Sequence, residues 1–474
     1  MTATTIDVVT TQETQETLAA QAARAARATR TWRTAGAALG GLLLLAGGAT
    51  GCGTGASADR THVGAPDLFY LRPYGDKAGP KDRTPFHVTA HDAKSSDPYG
   101  TYGHRLTVDA SDAGGAVRLR IVGMSHSGPR CSGTDRRVVC RVDADYDSWS
   151  ALDRVYPVAA KDSEPGEGGV VRFTFTTEDG TRHTTRTRVV VGEPVVRLRK
   201  SAPYENVAPG ADLTADLVVR NTGEVPVRGL GLKLSGGDLE LRRRYANCRY
   251  PRQYHGQVAL CELPDVRIEP GATVTLGPAL RLRAPDTTMS GSFSREAWPL
   301  DVGPGTYETV PDGGEKGDGP PLEATSDPRP GGTFAQGTVA TTVTLDTASD
   351  FRVDAVRTHV GKGRAIHLTV HDGGPGDPGS GLRLVFTPPP GAVVREQPME
   401  EIDEDDFQPL CGRDGADYVC EVGGLPPGKS RTFDFTLDLP GAGEGTVALK
   451  EGEAAVDRRD PRPGNDTAKV VVAP

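Results

Sequence analysis

The chain has few aromatic residues, and its main apolar stretch is short. Phe, Trp and Tyr make up 5% of the 474 residues, and residues 35–50 are apolar but rich in glycine. A membrane-spanning helix needs about 20 consecutive apolar residues. This stretch is therefore more typical of the core of a signal peptide than of a membrane-spanning helix.

The sequence also offers little evidence of the motifs of common enzyme classes. There is no His-Glu-x-x-His zinc motif, and we expect neither a phosphate-binding loop nor a dinucleotide-binding turn. The segment Gly123–Gly128 is not a nucleophile elbow, because Ser127 stands where the second glycine is needed. No pair of carboxylates is singled out for hydrolysis, so we expect no enzyme and no cofactor.

The charge balance argues against a nucleic-acid partner. The net charge is −9, and we expect no cluster of basic residues beyond the N-terminal segment. Arg accounts for 43 of the 54 basic residues, and Gly (60) and Pro (37) are abundant. The composition favours an all-β chain of many short strands and turns.

Length and cysteine count together indicate three domains. A chain of 474 residues predicts roughly three domains of about 150 residues. Seven cysteines divide into Cys52 and three local pairs, which are Cys131/Cys140, Cys248/Cys261 and Cys411/Cys420. Three disulfides would place the protein in an oxidising compartment. The alternative is that these are reduced thiols that only pack.

The stretch 411–439 contains the clearest local pattern. Two glycines between Cys411 and Cys420 allow a hairpin that brings the cysteines together, and Pro426-Pro427-Gly428 predicts a tight turn. Four apolar residues then alternate with polar ones, as in a strand with one buried face, namely Phe433, Phe435, Leu437 and Leu439. In the first domain, Val171, Phe173 and Phe175 are expected to form the counterpart strand.

An internal repeat connects the first and third domains. The segments 86–92 (FHVTAHD) and 366–372 (IHLTVHD) are nearly the same strand, and each ends 39 residues before the first cysteine of its domain. The corresponding strand of the second domain ends with Asn-Thr-Gly at 221–223. Matching spacing of this kind indicates one module copied three times.

These features set the domain boundaries. The predicted ranges are 1–52 for a basic segment with a signal peptide or anchor, 53–64 for a flexible tether, and 65–193, 194–346 and 347–474 for the three domains. Residues 303–325 of the second domain are rich in Gly and Pro, which predicts a solvated insertion without strands.

The N-terminal segment resembles a bacterial lipoprotein signal. A basic region precedes the apolar run, which ends Ala49-Thr50-Gly51-Cys52 and is similar to a lipobox. The resemblance implies diacylation of Cys52, and two acyl chains hold a protein stably on a bilayer. Alternatives are an uncleaved membrane anchor and ordinary cleaved secretion. The first two readings place everything after residue 52 on the extracellular face of the bacterial membrane.

The order of motifs in the second and third domains resembles bacterial cell-surface repeats of the domain-of-unknown-function-eleven and CARDB (cell-adhesion-related) types. The resemblance rests on the Asn-Thr-Gly at 221–223, the two cysteine pairs, Pro270-Gly271, Pro427-Gly428 and the Asn-Asp-Thr-Ala at 465–468. It is weak in the first domain. The resemblance implies tandem immunoglobulin-like β-sandwiches at the cell surface with no known catalysis.

Three polar patterns could suggest metal binding. His87/His91 and His367/His371 are each four residues apart, which is about 13 Å along a strand and too far for one ion. We expect these histidines to face solvent. Asp143, Asp145 and Asp147 open like a calcium loop, but Ser148 and Arg154 stand where Gly and Glu are needed. The carboxylate run 400–406 predicts a solvated loop.

The sequence thus predicts a non-enzymatic, membrane-anchored extracellular protein of the structural or adhesion type, with a cell-wall polymer or a surface protein as partner. One alternative is the ectodomain of an envelope sensor or assembly factor with a membrane-protein partner. Another is an enzyme that acts on polysaccharide. We expect no metal, no cofactor and no nucleic acid.

Overall fold

The computed structural model describes residues 61–75, 86, 88–91, 103–121, 130–141, 155–254, 257–304, 313–327, 331–403, 406–452 and 458–474. These residues form 35 β-strands and short 3-10 turns, and no α-helix occurs among them. The strands group into three successive sandwiches, each with its own apolar core.

The first sandwich has a six-stranded sheet, with two strand pairs contributing to the same core. The sheet order is β2-β10-β9-β4-β7-β6, and the pairs are β1-β3 and β5-β8. Its strands are β1 His62–Gly64, β2 Leu68–Leu71, β3 Thr89–His91, β4 Arg105–Asp109, β5 Val117–Ile121, β6 Arg130–Gly133, β7 Arg137–Arg141, β8 Val155–Ala159, β9 Gly168–Thr176 and β10 Arg182–Val191.

The second sandwich packs one sheet of order β15-β18-β13-β11-β22, with β21 also on β18, against a sheet of order β12-β23-β19-β14-β17-β16-β20. Its strands are β11 Val196–Arg199, β12 Tyr204–Val207, β13 Asp212–Asn221, β14 Val227–Ser235, β15 Glu240–Leu241, β16 Cys248–Tyr250, β17 Val258–Ile268, β18 Thr273–Arg283, β19 Ser290–Pro299, β20 Glu315–Lys316, β21 Glu323–Ser326, β22 Phe334–Ala335 and β23 Val339–Leu345.

The third sandwich packs a sheet of order β24-β26-β33-β28 against one of order β25-β35-β34-β27-β32-β31, and β29-β30 forms a separate hairpin. Its strands are β24 Phe351–Val353, β25 Val356–His359, β26 Gly361–Asp372, β27 Leu382–Thr387, β28 Val393–Glu396, β29 Met399–Asp403, β30 Asp406–Pro409, β31 Cys411–Asp414, β32 Asp417–Glu421, β33 Ser430–Leu439, β34 Gly443–Glu451 and β35 Thr467–Ala473.

All three sandwiches share one topology. The first strand of each lies antiparallel to the repeated strand, in the pairs β1/β3, β11/β13 and β24/β26. The chain then crosses to the other sheet and pairs in parallel with the last strand, in β2/β10, β12/β23 and β25/β35. The first two strands of each sandwich thus pair with different sheets. The protein is a tandem array of immunoglobulin-like β-sandwiches, as the sequence predicts.

Strand periodicity predicts the core of the third sandwich correctly. Phe433, Phe435, Leu437 and Leu439 are each at most 2% exposed, while the residues between them point outward or are half-buried. Each fully buried side chain of this size contributes about 1.5–3 kcal/mol to stability. This one strand therefore supplies a large share of the apolar burial.

The counterpart expected for this strand in the first sandwich was wrong. Val171, Phe173 and Phe175 are buried, but β9 pairs with β4 and β10, in the sheet that carries the cysteine hairpin. In contrast, β33 pairs with β26 and β28 in the opposite sheet. The topological counterpart of β33 is β8, which pairs with β5. The alternation of apolar and polar residues indicates that one face of a strand is buried, but it does not indicate which sheet the strand joins.

The tether ends earlier than predicted. Strand β1 covers residues 62–64 and pairs with β3, and Val63 packs against the first core. The composition of this segment carries no strand signal, so its pairing partner determines its structure. The three cores otherwise lie within the predicted ranges 65–193, 194–346 and 347–474.

The insertion 303–325 is not a simple solvated loop. In its described part, β20 pairs with β16 in one sheet and β21 pairs with β18 in the other. Leu322 lies between them, is 3% exposed and belongs to the second core. We call residues 313–326 the strap, because they connect the two sheets. Sequence periodicity does not predict such a segment, because its strands are only two and four residues long and it is rich in Gly and Pro.

Candidate functional site

Each sandwich contains one disulfide in the hairpin beside its central strand. The bonds are Cys131–Cys140, Cys248–Cys261 and Cys411–Cys420, with Cα–Cα distances of 4.0, 3.9 and 4.1 Å. The two cysteines of each pair are directly opposite in register. These are the three pairs that the sequence predicts.

Several residues highlighted by the sequence lie outside the described part of the chain. They are Cys52, His87 and the three aspartates Asp143, Asp145 and Asp147. Strand β3 includes the backbone of His91. The lipidation of Cys52 stays a prediction.

The two histidines of the third sandwich have separate carboxylate partners. His367 is exposed, and its Nδ1 lies 2.6 Å from Asp434. His371 is less exposed than predicted, at 23% of its side chain, because it lies between Asp354 (2.7 Å) and the Ser430 hydroxyl (2.6 Å). Their positions are those of ladder side chains on β26.

The described residues of the acidic run, 400–403 and 406, lie on paired strands rather than in an irregular loop. Strands β29 and β30 pair with each other and join neither sheet. Three large apolar side chains on this hairpin are more than half exposed, namely Met399 (52%), Ile402 (56%) and Phe407 (55%). We call β29 and β30 together the acidic hairpin.

Two segments match nucleotide-binding letter patterns that we did not expect. Residues 374–379 fit G-x-G-x-x-G and residues 423–430 fit the phosphate-loop spacing. The first lies between β26 and β27, and the second leads into β33. Both motifs depend on a helix N-terminus directly after the glycines. A strand follows in each case, so neither segment has the geometry of a phosphate site.

No group of three or more His, Cys, Asp or Glu in the described part of the chain could hold a metal ion. No helix in that part is long and apolar enough to cross a membrane.

The strongest candidate site is a pair of adjoining cavities on the second sandwich. One has a volume of about 490 Å³ and is lined by Asp212, Arg242, Arg243, Arg244, Arg281, Asp318 and Gly319. The other has a volume of about 370 Å³ and is lined by Glu240, Leu241, Arg244, Tyr250, Arg252, Gln257 and Glu315. Arg244 lines both, so we treat them as one feature and call it the arginine groove, with an open and a strap-side compartment respectively.

Backbone hydrogen bonds from two directions hold the arginine segment 242–244. The amide of Arg242 donates to the Arg281 carbonyl of β18 at 3.0 Å. The amide of Gly319 in the strap donates to the Arg244 carbonyl at 2.7 Å. The strap thus forms one wall of the groove.

Two buried tyrosines support this segment from beneath. Tyr245 is fully buried, and its hydroxyl donates to the Ala279 carbonyl at 3.0 Å. The Tyr250 hydroxyl accepts from the Tyr245 amide at 2.8 Å and donates to the Arg243 carbonyl at 3.2 Å. Burial raises the pKa of Tyr250 to about 12 and that of Tyr245 further, so both phenols are neutral near pH 7.

The strap is attached beside the disulfide. The Asn247 side chain donates to the Leu322 carbonyl at 3.0 Å and accepts from the Leu322 amide at 2.9 Å. The Gly317 amide donates to the Cys248 carbonyl at 3.0 Å. The disulfide, the strap and the tyrosines therefore fix the backbone from which the arginines project.

The charges of the groove are only partly balanced. Glu315 of the strap lies 3.3 Å from Arg244 and 3.4 Å from Arg252, and the Arg244 guanidinium is 4.7 Å from the centre of the Tyr250 ring. A hydrogen bond to Glu240 at 2.9 Å raises the pKa of Arg242.

Arg243 and Arg281 differ from the other arginines of the groove. Arg243 donates to the Ala279 carbonyl at 3.4 Å, and Arg281 is exposed. Neither forms an ion pair with a carboxylate of the described residues. Each can therefore offer guanidinium donors to an anionic group.

The expectation of no basic cluster beyond the N-terminus was wrong. The tripeptide Arg242-Arg243-Arg244, with Arg249 and Arg252 close behind, is visible in the sequence. It was missed because the net charge of −9 conceals a local cluster. Arg281 could not have been grouped with it from sequence alone, because pairing between β15 and β18 brings them together.

Comparison with known proteins assigns no family to the chain. No protein-family model matches the chain, and no curated protein matches it. The chain is similar to a fragment of the titin I-band at 9% identity, with 87% of this chain and 97% of that one covered and a TM-score of 0.18. The chain is also similar to Dpr2 in complex with DIP-Theta at 9% identity, with 87% of this chain and 99% of that one covered and a TM-score of 0.19. It is similar to the four N-terminal Ig domains of a Dscam1 isoform at 9% identity, with 88% of this chain and 73% of that one covered and a TM-score of 0.19.

Proposed function

We propose that the protein is a non-enzymatic, membrane-anchored extracellular module of the structural or adhesion type. In this proposal, three immunoglobulin-like sandwiches hold the arginine groove away from the membrane for contact with an anionic partner. Function on such scaffolds resides in loops and strand edges. The groove is built from both, since the segment 242–247 is a loop and the strap adds edge strands.

The disulfides are the observation that carries the extracellular part of this proposal. All six cysteines of the sandwiches are paired locally, one bond per sandwich. Disulfides persist in oxidising compartments and are rare in a reducing cytosol. A chain with one such bond in every domain therefore suits the outside of the cell.

Fatty-acid labelling tests the anchor. Cells expressing the full chain are fed a labelled fatty acid, and the protein is isolated and analysed for incorporated label. Label on the natural chain and none on Cys52→Ala is the expected result. Cys131→Ala serves as the matched control and should retain the label. Equal labelling of Cys52→Ala would contradict lipidation at this residue.

Crosslinking on intact cells, followed by isolation of the chain, tests the class of partner. Recovery of wall polymer, reduced in a variant of the groove, supports the proposed adhesion role. Recovery of no polymer together with one stoichiometric membrane protein would contradict it and support the rival function of an envelope sensor or assembly factor.

The acidic hairpin is the observation that favours this rival. It presents three large apolar side chains to solvent, Met399, Ile402 and Phe407, and exposed apolar surface can mark a protein contact. If the rival is correct, the double substitution Ile402→Ser and Phe407→Ser should abolish crosslinking to the membrane protein. Tyr254→Ser, at a residue that is 42% exposed in the second sandwich, should not.

A further inference from the structure

The arginine groove already binds a carboxylate of its own chain. Glu315 lies within ion-pair distance of both Arg244 and Arg252 in the strap-side compartment. The strap places it there through the pairing of β20 with β16. This contact is direct evidence of the chemistry that the compartment accepts, namely an oxyanion between two guanidinium groups.

The open compartment shares Arg244 with the strap-side one, and two of its arginines form no ion pair with a carboxylate of the described residues. It has four arginines against two carboxylates, Asp212 and Asp318. Arg243 and Arg281 have no carboxylate partner in the described part of the chain, as noted above. Across both compartments the groove has five arginines against four carboxylates, because Glu240 and Glu315 also line it, so its net charge is +1 on a protein of net charge −9. A local positive charge attracts anions where the rest of the surface repels them.

The arginine side chains indicate which kind of ligand the groove can bind. Guanidinium groups present a planar set of donors that fits phosphate and carboxylate oxygens in pairs, whereas ammonium groups act as point charges. The groove contains no lysine in either compartment. It is thus suited to bidentate binding of tetrahedral or planar oxyanions.

The size of the groove argues for a repeating ligand. Volumes of about 490 and 370 Å³ are each large compared with one phosphate group, and the compartments meet at Arg244. A free phosphate or a single headgroup would contact one compartment only. A polymer with successive anionic groups could contact both, displacing Glu315 from Arg244 in the strap-side one.

We propose that the arginine groove binds a polymer of phosphodiester-linked units, with one phosphate between Arg243 and Arg281 and a neighbouring phosphate taking the place of Glu315. The identification of this polymer as part of the cell wall rests on the function proposed above. The binding itself does not, and it can be measured on the isolated full chain.

The test measures binding of poly(glycerol phosphate) of defined length to the full-length Cys52→Ala protein by calorimetry at several salt concentrations. The double substitution Arg243→Gln and Arg281→Gln should weaken binding at least tenfold, because hydrogen bonds between charged groups are among the strongest in proteins. The slope of log affinity against log salt should fall by about one for each arginine lost.

Matched variants separate a local effect from a loss of folding. Arg281→Gln alone changes an exposed side chain and should show a smaller loss of the same kind. Arg197→Gln, at an exposed arginine of the same sheet outside the groove, should leave binding unchanged. Circular dichroism and thermal unfolding of each variant establish that the sandwich is intact.

Removal of the carboxylates should have the opposite effect. Glu315→Gln frees Arg244 and Arg252, and Asp318→Asn removes an exposed negative charge from the open compartment, so both should tighten binding several-fold. A structural defect would not produce tighter binding. Unchanged or weaker binding by both variants would overturn the proposed role of the groove.

Two further probes test the ligand class. Inorganic phosphate that binds as tightly as the polymer, or polyglutamate that binds more tightly, would overturn the phosphodiester-polymer proposal. Vesicles of equal parts phosphatidylglycerol and phosphatidylcholine should not show binding that depends on Arg243 and Arg281. If they do, the source is a lipid headgroup and the polymer is excluded. Failure of Cys52 labelling would contradict the anchor alone and leave these outcomes unaffected.

Discussion

The amide of Gly271 donates a hydrogen bond of 2.9 Å to the carbonyl of Asn221, joining the turn before β18 to the last residue of β13. The third sandwich repeats this contact between Gly428 and Asp372 at 2.7 Å. Both glycines have a positive φ, +76° and +78°. The repeated Pro-Gly therefore has a structural role, because it ties the turn to the end of the repeated strand.

Gly428→Ala should destabilise the third sandwich by about 1–2 kcal/mol, because a Cβ is strained in the left-handed region. A Cβ at this position would meet no atom within 4 Å, so the cost is conformational and not steric. Gly441→Ala is the matched control, since that glycine is equally open and has no positive φ. Urea unfolding measures both, and an equal effect of the two substitutions would contradict the assignment.

Asn221→Ala should cost about 3 kcal/mol or more. The side chain is fully buried and donates to the Val225 and Ile268 carbonyls at 2.8 and 3.0 Å, while it accepts from the Gly223 amide at 2.9 Å. Its loss leaves these buried groups without partners, at about 1–3 kcal/mol each before relaxation. Thr222→Ala changes the exposed neighbour and should shift the unfolding midpoint little. A loss below about 1 kcal/mol for Asn221→Ala would contradict this account.

Asp372 occupies the position of Asn221 in the third sandwich, and its pKa should make stability depend on pH. Burial raises this pKa above its ordinary value of 3.8, and the carboxylates of Asp377 and Asp350 raise it further. The folded chain therefore holds the proton more tightly than the unfolded chain. Its contribution to stability is full below the unfolded pKa and is lost as pH rises through the folded pKa.

Asp372→Asn replaces the carboxylate with a side chain that does not ionise. The third sandwich should therefore be more stable in this variant than in the natural chain at pH 7. An amide oxygen can still accept from the Ser349 hydroxyl and the Gly374 amide, which now bond to Asp372 at 3.1 and 2.9 Å. The gain should shrink as pH falls from the raised pKa of folded Asp372 toward the ordinary value of 3.8, and it should vanish below that value, where the aspartate is protonated in both states. Thermal unfolding across this pH range measures the difference, and a destabilised variant at pH 7 would refute the argument.

Replacing Cys411 and Cys420 together with Ala should destabilise the third sandwich by about 2–3 kcal/mol, as expected for a short closed loop. The other two sandwiches have separate cores and should be affected little. Hydrogen exchange resolved by region measures this. Equal loss of protection in all three sandwiches would show that they unfold as one unit, contrary to the modular account.

The repeated strand and the cysteine hairpins could be predicted from sequence because both are local. Alternation in 366–372 and the glycines between Cys411 and Cys420 determine structure within a few residues. The counterpart of β33 in the first sandwich was misassigned, because sheet membership depends on distant pairing. The strap was missed for the same reason, since its strands exist only where β16 and β18 offer them edges.

The groove shows a similar limit. The tripeptide 242–244 can be read directly, but the carboxylate that partly neutralises it comes from Glu315, some 70 residues later. Sequence could have indicated an arginine cluster. The choice of which arginines remain open, Arg243 and Arg281, follows only from the fold.

The central claim is that three sandwiches, each with its own disulfide, lie in an oxidising compartment. Non-reducing peptide mass spectrometry of the protein from intact cells, with thiols blocked before lysis, tests this most directly. The account predicts linked peptides for Cys131–Cys140, Cys248–Cys261 and Cys411–Cys420 and no blocked thiol among these six. Blocked thiols at these positions, or links between different sandwiches, would contradict it.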